Sequence, residues 1–204
     1  MLNLKAVICT NLLNLFDMKT KLSLLFVALF STSILSGQIS DNCVIGAITS
    51  GYSERTYTTE PVTGDQLDLI LQCGIKAPSG RNLQPWKFTV IKDEAIMKEA
   101  INNITTGNVL IIVSGLESQG GTTPDFDCGL ATESMFIAAH GLGLGARIYG
   151  GPVGNINSKK ELFQIPAGYK AVMILRIGNI DKNVDAVSAA TARKKPEEIV
   201  NWVK

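Results

Sequence analysis

The feature that most constrains this chain is a pair of apolar, β-branched runs set among segments of helical periodicity. Val109 to Val113 carries no polar residue, and Ala171 to Ile177 is a second apolar run, interrupted by Arg176. Runs this short and this rich in Val and Ile read as buried strands. Before and between them, apolar residues recur at helical spacing. Leu67, Ile70, Leu71 and Ile75 follow Thr63, a plausible N-cap, and Asp127 to His140 is apolar at Leu130, Met135, Ala138 and Ala139 and stops at Gly141. Shorter segments fill the pattern: helices over Cys43–Ser50 (capped by Asp41 or Asn42), Asp93–Ile101, Asn157–Phe163 and Pro196–Val203, and strands over Phe88–Ile91 and Ala146–Tyr149. The interleaving predicts an α/β or α+β layered sheet, an α+β fold in which helices cover the strands.

Composition excludes some partners. Lys plus Arg is 19 and Asp plus Glu is 18, so the net charge of +1 offers no field to a polyanion, and nucleic-acid binding is not expected. The N-terminal stretch reads as a targeting segment. Lys19 and Lys21 precede an uncharged apolar run, Leu22 to Phe30, and small residues follow to Gly37. Residues 1–37 are therefore expected to be a signal-peptide region, with Met18 as the true start and cleavage near Gly37. Residues 38–204 then form one domain of an exported, periplasmic or secreted protein. The run is too short to span a bilayer core of about 30 Å, so no stable membrane span is expected after cleavage. The cysteines, Cys9, Cys43, Cys73 and Cys128, form no C-x-x-C pair and have no His nearby, which gives a metal site no support. Export permits one disulfide, although buried thiols acting as small hydrophobes are the plainer reading.

Three separated segments carry chemistry. In Ser53-Glu54-Arg55 a hydroxyl and a guanidinium two residues apart are suited to an anion. In Ala77-Pro78-Ser79-Gly80-Arg81-Asn82-Leu83-Gln84-Pro85-Trp86, two prolines stiffen a loop that holds two amides, each both donor and acceptor. Trp86 reads as core. Gly141-Leu142-Gly143-Leu144-Gly145 and Gly150-Gly151 are glycine pairs and triplets, but they follow a helix and lack G-x-G-x-x-G spacing, so they are not a dinucleotide fingerprint. Close backbone approach to a flat ligand suits them better. Arg193, with Lys194 and Lys195, precedes the last helix as a basic cluster, and His140, the only histidine, reads as a helix-terminal residue rather than a catalytic one.

In this order the segments resemble the nitroreductase family of flavoproteins, from about Ser50 to Trp202. The match rests on Ala77-Pro78-Ser79-x-x-Asn82-x-Gln84-Pro85-Trp86, on Asp127-x-Gly129 opening a helix that ends Ala138-Ala139-x-Gly141-Leu142-Gly143, on Ile165-Pro166-x-Gly168-Tyr169 before a strand, and on Arg193 to Val200. The resemblance implies a mixed sheet flanked by helices in an intertwined homodimer, with FMN at the subunit interface. It implies NADH or NADPH as donor, with a nitro compound, quinone or similar small molecule as acceptor. It assigns Ser53, Arg55 and Arg193 to phosphate and ribityl contacts. Pro78, Ser79, Asn82 and Gln84 fall to the flavin-binding loop, and Gly150 and Gly151 to the backbone pair near the reactive flavin nitrogen. The flavin carries the reaction, so no side chain is named catalytic. Tyr52, Gly51 and Thr191 stand where many members carry basic residues. The alternative reading is an exported flavin-binding or electron-relay protein without NAD(P)H turnover.

Overall fold

The structure is a computed structural model that describes residues 42–118, 123–184 and 191–203. The chain divides into two units, Met1–Gly46 and Ala47–Lys204. The expected signal-peptide region, its cleavage point and Cys9 lie outside the described residues.

Helix α1 (Cys43–Ser50) is capped by Asn42, whose Oδ1 accepts the Val44 and Ile45 amides at 3.0 and 3.2 Å. Helix α2 (Gly64–Ile75) opens on Thr63 as expected. The Thr63 hydroxyl accepts the Gln66 amide while the Gln66 side chain accepts the Thr63 amide, a reciprocal capping box. The remaining elements are β1 (Trp86–Ile91), α3 (Glu94–Ala100), β2 (Val109–Leu116), α4 (Pro124–Gly141), β3 (Gly145–Tyr149), α5 (Val153–Ser158), β4 (Tyr169–Gly178) and α6 (Pro196–Ile199). The four strands form one sheet in the order β1-β2-β4-β3 and pair antiparallel throughout. Among the described residues its mixed character rests on one parallel bridge, Ser53 to Ala146, at the β3 edge.

The sheet is buried on both faces, which is why β2 and β4 lack a polar stripe. Val109, Ile111 and Val113 of β2 enter one core with Leu175 and Ile177 of β4, Leu67 and Ile70 of α2, and Ala131 and Met135 of α4. Leu110 and Ile112 point the other way, into a second core with Ile174, Met97, Ile156 and Phe163. Alternation of strand side chains makes this split automatic. Helices α2 and α4 touch because Gly74 leaves room: a Cβ there would lie 2.7 Å from Met135 Cγ. Gly74 thus takes the packing place that periodicity gives to Ile75, which is 55% exposed.

Two helices differ from expectation. The one expected over Asn157–Phe163 runs over Val153–Ser158 instead. Pro152, at φ −72°, starts it early, and Lys159 (φ −126°, ψ 41°) ends it. The Asn157 amide is needed elsewhere. It brackets the Ala171 backbone, donating to the carbonyl at 3.0 Å and accepting the amide at 2.8 Å, where the β2–β4 register slips between Val113 and Ser114. The terminal helix expected over Pro196–Val203 stops at Ile199, and Val200 is extended at φ −95°, ψ 120°. So short a helix depends on tertiary packing, and Ile199, Trp202 and Val203 are all exposed. Helix α4 also starts three residues before Asp127, because Pro124 occupies its first turn and Asp125 and Asp127 face its positive end.

Candidate functional site

The loop between α2 and β1 is wound unusually tightly. Arg81, Asn82 and Gln84 all sit in the left-handed region, at φ 53°, 56° and 48°. Each such non-glycine residue is disfavoured, and strain of this kind concentrates at ligand-binding sites. Three contacts hold the loop in place. The Ser79 hydroxyl accepts the Gln84 amide at 3.0 Å. Gln84 Nε2 donates to both the carbonyl and the side-chain Oδ1 of Asn82, at 3.2 and 3.3 Å. The carboxylate of Asp127, 2% exposed in the first turn of α4, accepts the Gly80 amide at 3.1 and 3.3 Å. Thus the Ala77–Trp86 motif and the Asp127-x-Gly129 motif, far apart in sequence, meet at one hydrogen bond. Trp86 is buried and stacks on Phe88, as core.

A pocket of about 530 Å³ opens beside this loop, lined by Pro78, Ser79, Gly80, Thr123, Phe126, Asp127 and Leu130. Sequence reasoning did not single out Phe126, 65% exposed on its rim, and read Gly80 as a turn residue of the Ala77–Trp86 motif. No motif marks Phe126, which the α4–loop contact brings beside Gly80.

The second cluster lies at the far edge of the sheet. Ser53 is bridged to Ala146 of β3, the Glu54 amide donates to the Ala146 carbonyl at 3.0 Å, and Tyr57 bridges Ile180 beyond β4. Glu54 and Tyr57 turn inward, and Ser53 and Arg55 face solvent. The buried Glu54 carboxylate accepts the amides of Arg55 and Thr56 at 2.7 and 2.8 Å, and the Tyr52 hydroxyl at 2.7 Å. It therefore fixes the backbone that displays Ser53 and Arg55. Among the described residues, the side chains of Ser53 and Arg55 make no hydrogen bond or ion pair. Gly150 and Gly151 follow β3 directly, and a Cβ on either would meet nothing within 4 Å. Arg193 is exposed in the stretch before α6.

Behind this edge Arg176 of β4 is 1% exposed. Its Nε donates to Asn108 Oδ1 at 2.8 Å, its Nη2 to Thr105 Oγ1 at 3.2 Å, and its guanidinium lies 4.2 Å from the Tyr57 ring centroid. Burial pushes the Tyr57 phenol well above its ordinary pKa, and the Arg176 charge pulls the other way. His140, in the last turn of α4, lies edge-on to Phe136 at 4.5 Å and 5.8 Å from the Tyr52 ring. Burial lowers its pKa, against the opposing effects of the hydrogen bond that its ring donates to the Tyr52 backbone and of the Glu54 charge. Cys43, Cys73 and Cys128 are free thiols, and burial drives that of Cys128 up to about 12.

The two clusters are not joined within one chain. Strands β1 and β3 are opposite edges of a four-stranded sheet, about 14 Å apart at ~4.8 Å per strand. Pro78, Ser79, Asn82 and Gln84 gather at the β1 edge, whereas Ser53, Arg55, Gly150 and Gly151 gather at the β3 edge.

The family model described as the nitroreductase family matches residues 48–112. A protein of Archaeoglobus fulgidus, provisionally named NADH dehydrogenase/NAD(P)H nitroreductase, is 28% identical over 137 residues, covering 62% of this chain and 79% of that protein. The Bacillus subtilis FMN reductase (NAD(P)H) is 29% identical over 189 residues, covering 78% of this chain and 73% of the reductase. Among solved structures, a provisionally named nitroreductase in complex with FMN from Desulfovibrio desulfuricans superposes with a TM-score of 0.70 at 28% identity, over 80% of this chain and 98% of that one.

Proposed function

We propose that this chain, whose fold is that of the nitroreductases, is a member of that family and works as an FMN-dependent oxidoreductase, passing electrons from NADH or NADPH to a small acceptor such as a nitro compound or quinone. When bound, FMN supplies the hydride and electron transfer.

The observation that carries this reading is the set of polar groups left over at both sheet edges. The Ala77–Trp86 loop adopts three left-handed residues and still leaves the Asn82 Nδ2 without a partner among the described residues. Ser53 and Arg55 offer a hydroxyl and a guanidinium suited to a phosphate. Gly150 and Gly151 leave their surroundings open to a flat ring. These donors fit FMN: Ser53, Arg55 and Arg193 would hold its phosphate end, Pro78, Ser79 and Asn82 its ring, and Gly150 and Gly151 would approach it by backbone alone. Backbone amides placed there would stabilise charge gained on reduction without reorganising.

The separation of the two clusters favours a homodimer. One ligand would meet both if the loop came from one protomer and the β3 edge from its partner. The exposed Ile199 at the end of α6 and Trp202 and Val203 after it supply apolar surface for that partner. The order of charged, apolar and small residues across 19–37 favours export as the setting.

The test is direct. The chain from Gln38 is loaded with FMN, desalted, and titrated anaerobically with NADH or NADPH. Retained flavin absorbance at about one per subunit, bleached by the nicotinamide, is the expected result. Retained flavin that neither nucleotide bleaches would replace the reductase with an electron-relay role, and a folded colourless protein would end the flavin reading.

A further inference from the structure

The hydrogen bonds inside the 77–86 loop fix which end of the Asn82 side chain faces outward. An amide's oxygen and nitrogen are told apart by their partners. One terminal atom of Gln84 lies 3.2 Å from the Asn82 main-chain carbonyl, which can only accept, so that atom is the NH2 group. The same atom lies 3.3 Å from a terminal atom of Asn82, which must therefore be its Oδ1. With Oδ1 turned to Gln84, the Nδ2 protons of Asn82 are left without a partner among the described residues. Main-chain geometry keeps the pair together: both residues hold left-handed φ, and the Gln84 amide is tied back to Ser79 Oγ.

We infer that Gln84 is a positioning residue that holds the Asn82 amide by its oxygen, so that the loop presents the Nδ2 donor to the polar edge of the flavin. This rests on the FMN reading above. A donor aimed at a ring oxygen or nitrogen binds the electron-rich reduced flavin more strongly than the oxidised one. Gln84 would thereby raise the midpoint potential without touching the ring.

The discriminating variant is Gln84→Glu. A carboxylate only accepts, so Asn82 must turn its NH2 toward position 84 and its oxygen outward. Gln84→Met removes the clamp without adding charge. Two readouts are taken on the full chain. The first is the two-electron midpoint potential of bound FMN. Gln84→Glu is expected to weaken reduced-flavin binding about tenfold relative to oxidised, a downward shift of about 30 mV, and Gln84→Met to shift it the same way by less. The second needs no flavin. In 15N-labelled protein, the Asn82 side-chain amide resonance is expected to move downfield in Gln84→Glu as its NH2 gains a charged acceptor. An unmoved Asn82 resonance, or a potential unchanged in both variants, overturns the inference. A wild-type chain that binds no FMN while its Asn82 resonance responds would overturn the flavin reading and keep the clamp.

Discussion

Both carboxylate oxygens of Asp127 lie within 3.3 Å of the Gly80 amide nitrogen. This joins the first turn of α4 to a loop 47 residues earlier. The carboxylate is buried there and sits where the helix dipole favours negative charge.

Removing that acceptor should loosen the loop. Asp127→Ala is expected to lower stability by about 1.5–3 kcal/mol, the range for a hydrogen bond to a charged group, and to weaken FMN binding. Asp127→Asn keeps one acceptor oxygen and should lose less than half as much. Urea denaturation and FMN fluorescence titration measure the two effects, and equal losses for Ala and Asn would refute a hydrogen-bonding role.

The β4 terminus should be equally intolerant. A Cβ on Gly178 would collide with the Asn108 side-chain amide and lie 2.7 Å from Tyr57 Cδ1. Asn108 in turn holds Arg176. Gly178→Ala should therefore cost about 1–3 kcal/mol through overpacking, with more if Arg176 loses its partner. Thermal unfolding reads this out. A neutral result would mean that Asn108 can move aside freely.

Acid should destabilise the protein through His140. Its folded pKa is lowered chiefly by burial, so below the ordinary value of about 6.5 the unfolded chain takes up the proton first. Stability is then lost as pH falls from the unfolded value towards the folded one. His140→Phe should flatten the slope between about pH 7 and pH 5.5. Urea midpoints across that range check it, and an unchanged slope would assign the acid sensitivity to other groups. Tyr57 acts at the opposite extreme. Its raised pKa means that stability falls above about pH 10, where the unfolded phenol ionises and the buried one does not.

Deleting residues 191–204 should leave a monomer without FMN. The deletion removes Arg193 and the exposed Ile199, Trp202 and Val203. Sedimentation velocity on wild type and truncation is the measurement. A truncated dimer that keeps its flavin would show that neither the partner contact nor the phosphate contact lies in that segment.

The layered fold was legible in the sequence where one local cause governs structure. Thr63 with Gln66 announced α2, and the uninterrupted apolar stretch of β2 announced a strand covered on both faces. Legibility failed where a distant group decides. The apolar pattern placed a helix over Asn157–Phe163, but Asn157 is claimed by Ala171 and Pro152 starts the helix early. The Pro196–Val203 stretch reads as a helix and stops after Ile199, having nothing beside it among the described residues to pack against. At the site, the motif around Pro78 and Asn82 was visible, yet the handedness of Arg81, Asn82 and Gln84 was not. Left-handed backbone is expected at glycine, and here it falls on Arg81 and on two amides, Asn82 and Gln84, that hydrogen-bond each other. Glu54 could not be distinguished from an ordinary surface acid, because its burial depends on packing against Gly145 and on amides from its own turn.

The alternation of β2 makes it a wall shared by two rooms. Ile111 and Ile112 are neighbours in sequence, yet each belongs to a different core. Truncating either to Ala should cost about 2–5 kcal/mol, and a shift of the strand to heal one cavity would disturb the packing on its other side. Such a partition leaves little freedom for change at the centre of the sheet. New acceptor preferences should therefore arise at the rim, around Gly80 and Phe126, where residues border the pocket without supporting both cores. A library confined to those positions should yield altered reductases, whereas one aimed at β2 should yield mostly unfolded chains.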